Sequence, residues 1–226
     1  MKSETGTTRY AFSDLQDILE VGNQMSNIRR YSRDFMVKEE NVLEHVGFVV
    51  YFCAVVAKRL IAEGVDVDIA KLLLRAVMHD IGETITGDVA RPTKYSRKSV
   101  KNGLDAFEGK AVKHIEKVLS ISFTEEWENA KDESIEGYII RIADWASVLV
   151  KVMTEVVYYN NHGFIRVLEE LAQGREEFLE IGNKHAPLSY FTVALVQLLN
   201  TISDHVEDPV RNRMEINQWL AFFEVI

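Results

Sequence analysis

Residues 134–159 read SIEGYIIRIADWASVLVKVMTEVVYY, and this stretch decides the fold class. Ile135, Tyr138, Ile139, Ile142, Ala146, Leu149, Val150, Met153 and Val157 recur every three or four positions, the spacing that aligns side chains on one face of an α-helix. A helix with such a face must bury it against other elements. Asp144 interrupts this apolar run, at a position where burial alone favours another aliphatic side chain.

The same periodicity continues in both directions. A helix is expected over 41–64, because Asn41 with Glu44 three positions later can satisfy the free amides of a helix start, and Gly64 is a plausible stop. Asp66 or Asp68 can cap the next one, which runs through LLLRAVMHD. Further helices are expected near 13–24, 96–120, 163–181 and 188–205, with a short one ending at Phe223. Period-two alternation never persists for a strand's length, so the fold class is all-α, a multi-helix globule. With 226 residues, one domain over 1–226 is favoured.

Composition narrows the function classes. Hydrophobic residues at 47% supply the core that a disordered chain lacks. The longest uncharged apolar stretch, 46–57, is too short to cross a bilayer, and MKSETGTTRY has no apolar core of its own, so neither a membrane role nor a signal peptide is expected. A net charge of −9 repels a phosphodiester backbone, which argues against duplex nucleic acid as a partner but leaves room for a small phosphorylated molecule where local charge is reversed. The single Cys53 lies in an apolar run and reads as a buried thiol in a reducing, cytoplasmic compartment.

Chemistry concentrates at Met78-His79-Asp80-Ile81-Gly82-Glu83. Adjacent His79 and Asp80 close an apolar helix; His45 sits among apolar residues on the preceding helix, and Asp144 on a later one. If these three helices pack together, two imidazoles and two carboxylates converge, a nitrogen and oxygen set suited to one divalent ion such as Mn²⁺, Fe²⁺, Co²⁺ or Zn²⁺. The alternative is four separately hydrogen-bonded polar residues, and four such coincidences on apolar helices weigh against it. His114, His162, His185 and His205 carry no paired ligand spacing and read as surface or capping residues. The run Glu125-Glu126-Trp127-Glu128 reads as a solvated helix face. No GxxxxGKS loop, CxxC pair or GxSxG elbow occurs.

The order His45, His79-Asp80, Asp144 resembles the signature of the HD-domain phosphohydrolase superfamily, all-helical proteins that bind a divalent metal through these residues. HDIGETITGDVARPTKY over 79–95 is similar to the motif of the bacterial 5'-deoxynucleotidase branch, and ILEVGNQMSNIRRYSRDFMVKEENVLEH over 18–45 resembles the amino-terminal portion of that branch. The resemblance covers about 18–164, leaving 165–226 as additional helices for an oligomer interface or a lid. It implies that Glu83 orients or deprotonates the attacking water and that Arg30 orients the phosphate, with Arg29 and Arg33 as rivals. It places Tyr31 where the branch has a tryptophan closing on the sugar, and implies that Asp88, Val89, Ala90 and Arg91 form a substrate loop, with Asp88 on the 3'-hydroxyl or the leaving oxygen. Lys94 and Tyr95 can contact phosphate or only pack the loop. The chain departs from the branch at Tyr31 and at Ala90-Arg91.

The resemblance thus implies a metal-dependent phosphomonoesterase acting on deoxyribonucleoside 5'-monophosphates, as a homodimer. Two other readings remain: release of tripolyphosphate from a deoxynucleoside triphosphate on the same scaffold, and a non-catalytic nucleotide sensor.

Overall fold

The computed structural model describes residues 12–207, whose regular structure is helical. In chain order these helices are α1 (Phe12–Asn27), α2 (Val42–Ala62), α3 (Ile69–Met78), α4 (Glu83–Thr86), α5 (Arg91–Lys94), α6 (Lys98–Leu119), α7 (Thr124–Glu128), α8 (Ile135–Val152), α9 (Ile165–Gln173), α10 (Arg175–Lys184) and α11 (Ser189–Glu207). No strand occurs among the described residues, where an isolated antiparallel bridge joins Arg29 to Asn41. The helix expected to end at Phe223 lies outside the described residues.

The helix starts follow the capping chemistry. Asn41 Oδ1 accepts from the Glu44 amide at 2.9 Å while Glu44 Oε2 accepts from the Asn41 amide at 3.0 Å, a complete capping box. Of the two aspartates that can start α3, Asp68 does so, accepting from the Lys71 amide at 3.0 Å. Gly64, at φ 85°, takes the left-handed turn that ends α2.

Helix α8 lies at the junction of two cores. Its Tyr138, Ile139, Ile142 and Ala143 join α2, α3, α10 and α11 in one cluster, and its Leu149 and Val152 join α9, α11 and Met36 in another. A third cluster ties α1 and α2 to α6, with Trp127 of α7 packed against it. Thus the 125–128 run is only partly a solvated face. Two expected helices are interrupted. The segment 134–159 leaves α-geometry at Met153 for a π-turn over Met153–Tyr158. The segment 163–181 opens as a single 3-10 turn and then breaks at Gly174. That break redirects one apolar stripe: Val167, Leu168 and Leu171 serve the second cluster, Phe178 and Ile181 the first.

By length and composition α2 and the segment Ala186–Glu207 could each cross a bilayer. In the structure both carry buried side chains into the cores, among them Val49, Cys53 and Leu60 of α2 and Leu199 of α11.

The segment between α1 and α2 is irregular and is anchored from α8. Glu155, in the π-turn and fully buried, accepts from the Val37 amide at 2.8 Å and the Lys38 amide at 3.0 Å. Its remaining donors are Lys151 Nζ and Asn161 Nδ2, each at 2.8 Å. Burial pushes the Glu155 carboxyl up, but these four donors outweigh it and hold the group at about 2, below its ordinary value of 4.5. A depressed carboxyl stabilises the fold above its unfolded value and loses that contribution as pH falls toward its folded one, here roughly 3 kcal/mol lost between about pH 4.5 and 2. Urea unfolding across that window is expected to show stability falling with acid in the wild type and a flatter profile in Glu155→Gln.

Candidate metal centre and cleft

His45 comes from the first turn of α2, His79 from the end of α3, Asp80 from the turn that follows and Asp144 from the middle of α8. The structure brings all four together. His45 Nε2 lies 3.2 Å from His79 Nε2, 3.2 Å from Asp80 Oδ2 and 3.4 Å from Asp144 Oδ1. His79 Nε2 lies 3.1 Å from the same Asp80 oxygen. Ligand atoms of His45, His79 and Asp80 all fall within 4.8 Å of one another.

The outward nitrogens set the tautomers. His79 Nδ1 lies 2.7 Å from the Ala76 carbonyl, which can only accept, so Nδ1 carries the proton. Ser147 donates to the Asp144 carbonyl at 2.7 Å, and its oxygen, 3.0 Å from His45 Nδ1, is left to accept from that nitrogen. In the neutral rings both Nε2 lone pairs then face each other and two carboxylates, an arrangement that a divalent cation resolves and that the Ala76 carbonyl and the Ser147 hydroxyl hold in orientation. The residues fit a metal ion. Asp80 and Asp144 are also in the required state. Burial raises both carboxyls, but positive charge at His79 and His45 beside Asp80, and at Lys131 and His45 beside Asp144, holds them well below the usual carboxylate range, and a bound divalent ion would supply that charge with the rings neutral.

Glu83 opens α4 one turn beyond His79. The chain does not run on as a plain helix: the Ile81 amide donates to Met78 and the Glu83 amide to Asp80, three residues back in each case. Gly82 keeps helical dihedrals, so the turn carries Glu83 in the same winding sense as α3. Its environment differs from that of the two aspartates. Burial, then the charges of Asp80 and Asp88, push its carboxyl well above the normal range, and Oε2 is buried with no hydrogen-bond partner. Neighbouring carboxyls driven in opposite directions divide into charge-bearing and proton-carrying roles.

Among the three arginines, only Arg30 is buried, at 8% exposure, and lines the cleft. Its Nη1 meets Glu40 Oε1 at 2.6 Å, while Nε is buried without a partner. Arg29 pairs with Glu39 at 3.0 Å on the surface, and Arg33 donates to Thr93 Oγ1 at 3.0 Å. Tyr31 holds φ 53°, a left-handed conformation unusual for a bulky residue, and its amide donates to Asp88 Oδ2 at 2.9 Å. The Tyr31 ring stands edge-on to Phe164 at 5.2 Å, with its hydroxyl buried and unpartnered. Asp88, Val89, Ala90, Arg91 and Lys94 line the same cleft. Lys94 is committed to Glu108 at 2.8 Å, and the Arg91 guanidinium stacks over Tyr95 at 5.1 Å.

Lys131 is a residue that the sequence reading passed over. It lies just before α8 and its Nζ reaches Asp144 Oδ2. Neither spacing nor an apolar context marks it within AKDES; only tertiary placement does. Its loop is held by Arg75 on Asp132 at 2.9 Å and by Arg141 Nε on the Lys131 carbonyl at 2.9 Å. The loop crosses α8 at Gly137, where a Cβ would stand 2.4 Å from the Asp132 carbonyl oxygen.

The cleft has a volume of about 470 Å³ and runs between the 88–95 loop, α8, α9 and α10. Asp144 belongs both to its wall and to the four-residue cluster, so the cluster opens onto the cleft there. Of the other histidines, His114 and His162 are exposed and His185 packs on Tyr138 at 4.3 Å, away from the cluster.

An all-helical scaffold that gathers two histidines and two aspartates in this way has the architecture of HD-domain phosphohydrolases. One such protein from Listeria innocua superposes with a TM-score of 0.65 at 22% identity, covering 84% of this chain and 98% of that one. The cyanophage S-2L HD phosphohydrolase, solved with dA and one catalytic Zn²⁺, superposes at 0.54 with 16% identity over 82% and 96%. At these identities the likeness is one of fold. Sequence carries the assignment further: residues 18–199 match the YfbR-like 5'-deoxynucleotidase family, and the chain belongs to it. It is similar to a 5'-deoxynucleotidase of Photorhabdus laumondii, 28% identical over 208 residues, 89% of this chain and 87% of the relative. A 5'-deoxynucleotidase of Klebsiella pneumoniae is 26% identical over 191 residues, 81% and 92% of the two chains. The chain is a metal-dependent hydrolase of that family, and the match extends past residue 164 into α11.

Proposed function

We propose that the protein hydrolyses deoxyribonucleoside 5'-monophosphates to deoxynucleoside and orthophosphate, with His45, His79, Asp80 and Asp144 holding one divalent ion. The observation that carries this reading is the opening of the donor cluster, through Asp144, onto a cleft that also presents the buried Arg30. When bound, the ion offsets phosphoryl charge and makes water a stronger acid, which brings hydrolysis into the neutral range. The protein supplies the rest by placement and electrostatics. Arg30 offers its guanidinium to the non-bridging oxygens. Glu83, with its free Oε2, takes the proton of the attacking water as the new phosphorus–oxygen bond forms and the bond to O5' breaks. That proton is then available to the departing O5'. Asp88 keeps Tyr31 in its turn with one oxygen, leaving the other for a sugar hydroxyl. Tyr31, Val89 and Ala90 border the sugar, and Arg91, with Lys94 held by Glu108, flanks the entry of the phosphate. The same reading makes the protein one domain over 1–226, a cytoplasmic homodimer acting on small nucleotides and not on duplex nucleic acid, in keeping with its net charge of −9.

Phosphate release from a panel of deoxy- and ribonucleoside mono- and triphosphates tests the reading, with metal-stripped protein resupplied with Mn²⁺, Co²⁺, Mg²⁺ or Zn²⁺. Orthophosphate from deoxymonophosphates is the expected product. Tripolyphosphate from triphosphates, with no release from monophosphates, would transfer the assignment to the other reaction on this scaffold. The deoxy-to-ribo ratio reports what Tyr31 does at the sugar.

A further inference from the structure

We propose that Glu155, with Lys151 and Asn161, is a positioning clamp that sets Arg30 relative to the metal cluster. The inference rests on the phosphate-binding role given above to Arg30. It begins with register on one helix. Asp144, Ser147, Lys151 and Glu155 are three or four residues apart on α8 and its π-turn, so the residue that opens the cluster to the cleft and the clamp share one face of a single element. A π-turn at a helix end is often associated with function.

Two of the four donors to Glu155 come from the α1–α2 segment and two from within the clamp. Oε2 of Glu155 accepts from the Val37 amide and from Asn161, and Oε1 from the Lys38 amide and from Lys151. Asn161 also donates to the Phe35 carbonyl at 2.8 Å, and Lys151 to the Lys38 carbonyl. Backbone groups of Phe35, Val37 and Lys38 in the α1–α2 segment are therefore held by Lys151 of α8, Glu155 of its π-turn and Asn161, and Met36, 6% exposed, is wedged into the core beside them. Two residues past Lys38, Glu40 takes over: its carbonyl accepts from the Arg30 amide at 2.9 Å and its carboxylate grips the Arg30 guanidinium at 2.6 Å. Tyr31, next in line, sits in a left-handed conformation that persists only where the surroundings over-determine it. Glutamine at 155 keeps the volume but has one acceptor oxygen, and it turns an amide against one of the paired donors.

The test uses the full chain loaded with Mn²⁺ and inorganic phosphate as the probe, with binding read by calorimetry and turnover followed separately. Glu155→Gln is expected to weaken phosphate binding and raise KM by about tenfold or more, as remote misplacement of a charged anchor does. Metal content and kcat should change far less. In an Arg30→Ala background the same substitution should add no more than about twofold, the ordinary scatter of additive effects. Where Glu155→Gln does not fold, Lys151→Met/Glu155→Leu removes both buried charges together, which cores often tolerate, and the same loss of phosphate affinity is expected. Phosphate affinity unchanged in either folded variant, or an equal loss with and without Arg30, overturns the clamp. A wild type that binds phosphate through Arg30 yet releases none from deoxynucleotides overturns the proposed reaction and leaves the clamp standing.

Discussion

Asp80→Ala is expected to lose its divalent ion and, with it, at least about 10³ in kcat, since ion and ligand geometry together supply several kcal/mol of transition-state stabilisation. Asp80 is the sharpest choice among the four because one of its oxygens lies against both imidazoles, 3.2 Å from His45 Nε2 and 3.1 Å from His79 Nε2. Removing it leaves two nitrogens and the carboxylate of Asp144, which is already shared with Lys131. Metal content by atomic absorption is the first readout, and thermal unfolding gives a second. A ligand at about 100 times its Kd stabilises the native state by roughly 2.7 kcal/mol, so Mn²⁺ should raise the wild-type Tm and leave that of the variant in place. Activity within tenfold of wild type, with metal retained, would remove the cluster from the mechanism.

Much of this centre can be read from the chain because buried helices announce their exceptions. His45, His79, Asp80 and Asp144 each interrupt an apolar run, and the periodicity that defines α2, α3 and α8 also aims the interruptions inward. Arg30 is different. Three arginines within five positions are equivalent by type, and the bridge of Arg29 to Asn41 and the Arg30–Glu40 contacts, which bury one and expose the other, are made by irregular backbone. Lys131 and Glu155 were harder still. Lys151 and Glu155, four apart on a helix, have the pattern of an ordinary surface pair; they are buried at 4% and 0% exposure only because the α1–α2 segment lies over them. The break at Gly174 was hidden for the opposite reason. Leu171 and Phe178, seven residues apart, stay in helical phase across it, and only the need to serve two cores bends the chain there.

Glu83→Gln should separate proton handling from metal binding. The substitution keeps size and leaves His45, His79, Asp80 and Asp144 untouched, so metal content and KM are expected to stay near wild type while kcat falls by about 10² to 10⁴, the usual contribution of a positioned acid or base. The pH profile gives the sign. As a base Glu83 works deprotonated, so wild-type activity should decline as acid protonates it. Burial and the charges of Asp80 and Asp88 raise this carboxyl, and a divalent ion held by Asp80 offsets part of that rise, so the position of the limb reports the balance of the two. Glutamine cannot titrate, so the residual activity of the variant should lack that limb. A variant that keeps both the wild-type kcat and the acid limb would mean that another group accepts the proton. Asp88, a cleft-wall carboxylate whose charge already reaches Glu83, would then be the next residue to replace, although its bond to the Tyr31 amide ties its loss to that of the Arg30–Tyr31 turn.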